Sequence, residues 1–535
     1  MSTRLHIPRR RVDAAVFLAH WAVVAASLVS GLTGIRIAAD HDPFWKGIAT
    51  ALGPWVPQGP VFAWHIVSGF VFGAAALTGA VTVMLGGRRR WRIGAGTSRV
   101  RQANVALHWL AAGLVAALLA TGLIQLVEAP GPVGIQAVAA LHGILAAALG
   151  LYAVAHVGVH ALDGGPRGWL PMLLPARGGP RLTLAGTSVL VLAGLAFVAD
   201  GRFARTLPAS RVTPAQFALD GRLAEPFWAD ARPVTIEARR GNSPEPVAMT
   251  VRAAHDGAYL FLAVSWRDGE ASLKHLPLVR DDAHWRVLHD GFEISDERTW
   301  YEDKLAVAIA ASGTAAIRRA IHLGPRALGE VASPHDRGLH AARERIDLWH
   351  WKAVRTDIMD LAEDQSFGPP LPAYRCDVSY SGGYRSDPRS GGGYTWNWVY
   401  FNPSQVTPKR LPADPRLYGT FVEDAGDGLP QSFGSMRWLE SRPFDVAEDL
   451  PAGTAIPSYL RLGDFEGDIA DVSAKGRWRD GRWTVEFVRR LDADSPFDVR
   501  LGDGVLLWFA PFDHAQSRHA YHLRPLRLAL RERGL

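Results

Sequence analysis

IQAVAALHGILAAALGLYAVAHVGVHAL, residues Ile135–Leu162, runs for 28 residues without an Asp, Glu, Lys or Arg. About 20 such residues cross the ~30 Å hydrocarbon layer as an α-helix, whose backbone polar groups are satisfied within the segment. The stretch therefore reads as a membrane helix, and its histidines give it more than an anchoring role. His142 and His156 are 14 residues apart. At ~100° per residue they share a face, ~21 Å apart along the axis. Further apolar runs lie at Ala14–Ile35, Val61–Leu85 and Ala103–Val127, with a shorter one at Leu184–Val198. Gly, Ala and Ser recur within them, and small residues let membrane helices pack closely, so a bundle is expected.

Charge orients this bundle. Thirteen arginines, including Arg9–Arg11, Arg88–Arg90 and Arg167, fall before helix 1, after helix 2 or after helix 4, whereas the opposite loops hold only Lys46. The positive-inside rule puts the N-terminus in the cytoplasm. Five crossings then leave everything after Asp200 in the periplasm. Trp45, Trp55, Trp64, Trp91 and Trp169 cluster at the span edges, as interfacial aromatics do. Residues 1–182 carry 15 Lys/Arg against 5 Asp/Glu, so within a 535-residue chain of net charge +6 the remainder is acidic. The expected organisation is a transmembrane bundle over 1–165, a cytoplasmic loop and fifth helix over 166–205, and an exported domain over 206–535. The basic excess is loop arginine, which disfavours nucleic-acid binding. The single cysteine, Cys376, excludes an intramolecular disulfide, a cysteine zinc cluster, an iron–sulfur centre and covalent c-type haem.

Ionisable residues within hydrocarbon are functional by default. Here they are His20, His65, His108, His142, His156 and His160, with no acidic relay. Neutral imidazole repeated across four helices suggests metal ligation. Counting depth along alternating helices puts His65 and His142 near the outer face. His20, His108 and His156 fall near the inner one. His65 with His142, and His156 with His20 or His108, would hold two b-type haems stacked across the bilayer. His160 lies at the cytoplasmic edge and reads as interfacial.

From Arg205 the period shortens. Val247–Val251, Ala258–Trp266, Lys304–Ala310, Trp483–Arg489 and Val505–Ala510 are strand candidates, with hairpin signals at Asp256-Gly257 and Asp480-Gly481. A mainly β, sandwich-type domain is expected. Gly382–Gly393, GGYRSDPRSGGG, reads as an exposed flexible insertion.

Two resemblances follow from particular residues. His20-Trp21 and His108-Trp109, each followed by a Gly-Leu pair (Gly31-Leu32, Gly122-Leu123), together with Leu141-His142 and Ala155-His156, resemble the bacterial di-haem cytochrome b membrane subunits of hydrogenases and formate dehydrogenases. That family joins its first helix to the two-histidine helix at the inner haem, which favours His20, while the second His-Trp keeps His108 in play. Leu219–Trp228 (LDGRLAEPFW) is similar to the opening of carbohydrate-module-type sandwiches. Trp300–Lys304 (WYEDK), Asp347–Arg355 (DLWHWKAVR) and Phe512–Tyr521 (FDHAQSRHAY) resemble the haem-binding domain of ethylbenzene dehydrogenase γ subunits. Those periplasmic b-type haem proteins exchange electrons with a molybdenum enzyme, using lysine and methionine as axial ligands.

The resemblance implies a third haem. The chain has six lysines against 52 arginines, and only a lysine amine can lose its proton and ligate iron. Lys352, close to Trp349 and Trp351, is the candidate ligand, and His350 is its rival on the same strand face. His340 or Met249 is the candidate for the opposite position. Lys304, beside Glu302 and Asp303, reads as a surface ion pair. The implied function is a multihaem cytochrome linking the quinone/quinol pool to a periplasmic redox protein, with a molybdenum enzyme as the partner the resemblance suggests. The alternative is a membrane-anchored carbohydrate- or ligand-binding module. No Ser/His/Asp set, HExxH, phosphate loop or paired carboxylates suggest a stand-alone enzyme.

Overall fold

The computed structural model describes residues 13–39, 43–57, 59–85, 99–128, 134–164, 180–202, 204–213, 217–239, 245–294, 296–311, 322–323, 339–340, 346–367, 384–399, 404–421 and 433–532. Arg9–Arg11, Arg88–Arg90, Trp91, Arg167, Trp169, His335 and Cys376 lie outside them. The chain divides into two compact units, Met1–Phe203 and Ala204–Leu535.

The first unit is helical: α1 (Ala14–Ala39), α2 (Pro43–Leu52), α3 (Val61–Leu85), α4 (Arg99–Val127), α5 (Ile135–Gly164) and α6 (Pro180–Arg202). Five of these are long and apolar enough to span a bilayer. The fifth span is 23 residues long rather than short, because a helix continues through the polar residues that flank its apolar run. The short α2 was not expected. Helix hydroxyls satisfy themselves on the preceding turn, Thr33 Oγ1 donating to Val29 O (2.6 Å) and Thr121 Oγ1 to Ala117 O (2.8 Å). α1 packs closely on α3, where the Ser30 and Ser68 hydroxyls meet at 2.6 Å, and α4 packs closely on α5. These two antiparallel pairs approach one another far less closely.

The second unit is built on a 12-stranded sheet. Its strands are β1 (Arg205–Arg211), β2 (Val234–Ala238), β3 (Val247–His255), β4 (Tyr259–Arg267), β5 (Lys304–Ala310), β6 (Ile346–Lys352), β7 (Leu361–Phe367), β8 (Tyr384–Ser386), β9 (Val472–Trp478), β10 (Arg482–Arg490), β11 (Leu506–Phe512) and β12 (Leu526–Arg531). Their order is β1-β12-β11-β5-β6-β7-β9-β10-β4-β3-β2, with β8 on β7. β1 also runs parallel to β3, so the two layers of the expected sandwich are one sheet closed into a flattened barrel. Alternate residues of β3, β4, β5, β6, β10 and β11 fill it, among them Val251, Leu262, Val307, Trp349, Trp351, Phe487 and Phe509. Burying each such large side chain contributes about 1.5–3 kcal/mol.

Gly382–Gly393 is not the expected flexible insertion. Its described part supplies β8 and the strand Gly391–Trp396, which pairs with Tyr459–Glu466. Gly392 and Gly393 have φ of +67° and +102°, and a Cβ on Gly392 would collide with the Asp464 carbonyl. The glycine run is a bulge allowing close backbone approach, not a sign of mobility.

Candidate functional site

In the helical unit, histidine rings face one another across the gap between the two helix pairs. The His65 and His142 ring centroids are 6.3 Å apart, and those of His20 and His156 are 6.4 Å apart. Two imidazoles bound to one metal through ~2 Å bonds sit roughly 6 Å apart, centroid to centroid. His156 is also 5.6 Å from His108 and 4.6 Å from His160. His20, His108 and His160 therefore all converge on His156, so His160, expected to be only interfacial, is part of a four-histidine cluster. Both His20 and His108 are within reach of His156.

The Nδ1 atoms of His65, His108 and His142 are engaged. His65 Nδ1 donates to Ser30 O (3.1 Å), and His108 Nδ1 donates to Asn104 O (2.6 Å). His142 Nδ1 lies 2.9 Å from Thr121 Oγ1. Fixing Nδ1 leaves Nε2 with its lone pair and sets the ring direction, as at metal-bound histidines. Glycines give the rings space: a Cβ on Gly34 or Gly122 would come within 3.3 Å of His65 or His142 Cε1. Neutral, oriented imidazoles in pairs inside an apolar bundle fit haem b.

In the β unit, strand alternation divides β6. Trp349 and Trp351 point into the closed core and are fully buried. His350 and Lys352 point to the other face, beside Leu348, Ala306 and Phe512. Met249 packs within the core with Trp349 and Trp351, so it is not brought to the His350–Lys352 face. His340 lies in the two-residue strand Leu339–His340 paired with His322–Leu323, and its side chain is outside the described residues.

His350 and Lys352 differ in engagement. The Lys352 ammonium is 2.5 Å from Glu363 Oε1 and donates to the Tyr394 hydroxyl at 3.0 Å. His350 Nδ1 faces Gln365 Oε1 at 3.4 Å, and its ring stacks on Phe512. Its Nε2 is buried with no hydrogen-bond partner among the described residues. A buried imidazole nitrogen with a lone pair and no partner is the donor a haem iron would use. Burial, and then the charges of Lys352 and Lys304, hold His350 well below the usual histidine range. Burial lowers Lys352 to about 8 against the opposing pull of Glu363.

Lys304 is not on the surface. Glu302, Asp303 and Lys304 are all buried. Lys304 Nζ donates to Gln516 O at 2.8 Å and lies 4.1 Å from the Phe512 ring centroid. Asp303 accepts from Ser272 N, Trp483 Nε1 and His514 N. Glu302 accepts from Arg355 Nε, Arg355 N and Val354 N. Burial would raise Glu302, but Arg355, His275 and the backbone donors outweigh it and hold the carboxyl well below its ordinary value. These three consecutive charges read as surface because their buried partners, including Arg355, Gln516 and Trp483, are distant in sequence.

His275 lies behind this network, fully buried, with Nδ1 3.2 Å from Glu302 Oε1. Burial and the Arg355 charge push it down to about 3, from a model-peptide value of 6.5. On acidification below 6.5 the unfolded chain takes up this proton and the folded chain does not, so stability is lost as pH falls. Relative to His275→Gln, the wild type should lose about 2 kcal/mol between pH 7 and 5. Denaturant unfolding of both proteins at the two pH values checks this. A stability gap that does not change with pH would refute it.

Oriented histidine pairs in an apolar bundle, in a chain whose β unit buries a histidine nitrogen with no hydrogen-bond partner among the described residues, define a membrane-bound b-type cytochrome of electron transfer. The ethylbenzene dehydrogenase model matches residues 225–524, more than half of the chain, which therefore belongs to that family. Prokaryotic cytochrome b561 matches residues 11–174, so the chain is a fusion of the two. No curated protein matches it. Among solved structures it is similar to a family 9 carbohydrate-binding module from Caldicellulosiruptor kristjanssonii in complex with cellotriose. The identity is 8% and the TM-score 0.23, covering 62% of this chain and 95% of that one. A putative carbohydrate-binding protein from Bacteroides uniformis is 10% identical with a TM-score of 0.26, covering 61% and 99%. At these scores neither likeness supports a functional reading.

Proposed function

We propose that the chain carries electrons between a quinone pool and a redox protein outside the cytoplasmic membrane through three b-type haems. His65 with His142 would hold an outer haem, His156 with His20 or His108 an inner one, and His350 a third on the β unit. Haem bound at these positions supplies one-electron exchange between ferric and ferrous iron. The residues themselves supply neutral donors, fixed ring directions and a dry surround. His340 is the candidate for a second residue that would hold that haem. A molybdenum enzyme is the partner that the family membership suggests.

The observation carrying this reading is the pair of facing histidine sets, one at each end of a single helix. Iron and pyridine haemochrome analysis of the purified chain should give three haem b per polypeptide, and a spectroelectrochemical titration should resolve their potentials. A single haem per chain would overturn the reading.

Orientation is testable separately. Thirteen arginines in the loops and helix ends of one side, against Lys46 and Arg36 on the other, support a cytoplasmic N-terminus. A reporter fused after Arg205 should be active only in the periplasm. Cytoplasmic activity of that fusion would refute five crossings.

A further inference from the structure

The β unit buries an unbalanced set of carboxylates around Asp347, which alternates with His350 on β6 and so belongs to the opposite face of that strand. Asp347 is the second residue of β6, Asp364 lies on neighbouring β7, and Asp498 follows β10. All three side chains are fully or almost fully buried, and their oxygens approach within 4.8 Å of one another. The cation among them is the buried guanidinium of Arg489. Its Nη2 is 2.8 Å from Asp498 Oδ2 and its Nη1 3.4 Å from Asp347 Oδ2, but its Nε is 3.9 Å from Asp364 Oδ2. Asp347 Oδ2 also accepts from Val499 N at 3.0 Å. Both oxygens of Asp364 and both of Asp498 are buried and accept no hydrogen bond from an N–H or hydroxyl donor among the described residues. Asp364 is the less compensated of the two, because its contact with the guanidinium is the 3.9 Å one, against 2.8 Å for Asp498.

One guanidinium cannot balance three buried carboxylates, and a buried carboxylate whose cation stands 3.9 Å away is poorly compensated. Asp364 therefore calls for a further cation. The donors are all carboxylate oxygens, with no imidazole or thiolate, which selects a hard ion over zinc or copper. Calcium–oxygen bonds of about 2.3–2.6 Å place opposite ligands up to ~5 Å apart, whereas magnesium limits them to ~4.2 Å. With Asp347 Oδ2 and Asp498 Oδ2 held by Arg489 and Val499 N, four carboxylate oxygens remain, a set that calcium, which also takes water oxygens, can complete. We propose that Asp347, Asp364 and Asp498 form a structural calcium site that ties the start of β6 to β7 and to the segment after β10. The site tethers the strand carrying His350 and Lys352 but does not depend on haem at that strand.

The test uses the full-length protein in detergent, treated with chelator and then titrated with calcium alone or magnesium alone. Wild type should bind one equivalent of calcium by equilibrium dialysis, and its thermal midpoint should rise by several degrees. Magnesium should shift the midpoint less. Asp364→Asn and Asp498→Asn should each lose that equivalent while keeping wild-type iron content, which distinguishes loss of the site from loss of the fold. No calcium bound by wild type at millimolar concentration, with an unchanged midpoint, would overturn the site and leave a proton shared between Asp347 and Asp364 as the balance. A full calcium equivalent in folded Asp364→Asn would overturn it as well. If neither variant folds, the wild-type titration decides alone.

Discussion

His142→Ala should remove one haem from the membrane unit and leave the other in place, and His156→Ala should do the converse. The expectation rests on distance: ~21 Å of helix separates the two residues, and each faces a different partner. His65 stands 6.3 Å from His142, and His20 stands 6.4 Å from His156. An axial imidazole is a first requirement of a low-spin b-type centre, so loss should be near complete at the altered level. The iron-to-protein ratio should fall by about one third under the three-haem reading, with one component missing from the redox titration. His65→Ala should copy His142→Ala. The inner partner is decided by the same measurement, since only one of His20→Ala and His108→Ala should copy His156→Ala. If His142→Ala and His156→Ala each retain both membrane haems, the paired-histidine arrangement is wrong.

The helical unit was legible in the sequence because its two determining signals are local. Length without charge defines a span, and the 3.6-residue period alone places His142 and His156 on one face. The convergence of His160 on His156 was missed, since depth was read from the end of an apolar run and α5 continues to Gly164. In the β unit, alternation put Trp349 and Trp351 opposite His350 and Lys352 from sequence alone. The environment of those residues was not legible. Glu363, which holds Lys352, sits across a strand pairing, and Tyr394 lies 42 residues away from Lys352. Lys304 was misread for the same reason: three adjacent charges look solvated until Arg355, Gln516 and Trp483 are folded around them. The glycine run at 391–393 was misread because composition does not distinguish mobility from a positive φ beside another backbone.

Lys352→Arg should leave the low-spin haem of the β unit intact, whereas His350→Ala should abolish it or turn it high-spin. Arginine keeps the charge facing Glu363 but cannot coordinate iron. If Lys352 serves as the ion-pair partner seen at 2.5 Å, its replacement by arginine costs packing and not a ligand. His350 is the residue with a buried, unpartnered nitrogen, so removing its ring removes the donor itself. A low-temperature α-band and electron paramagnetic resonance spectrum of each full-length variant reads the outcome directly. A Lys352→Met control separates the two roles further. It leaves Glu363, which is 2% exposed, as a buried carboxylate stripped of its cation. Breaking a buried pair from one side costs about 3–5 kcal/mol, so this variant should lose stability in a denaturation experiment whether or not it retains haem. Loss of the low-spin spectrum in Lys352→Arg together with its retention in His350→Ala would reverse the assignment. Lys352 would then be the ligand, released from Glu363 when iron binds.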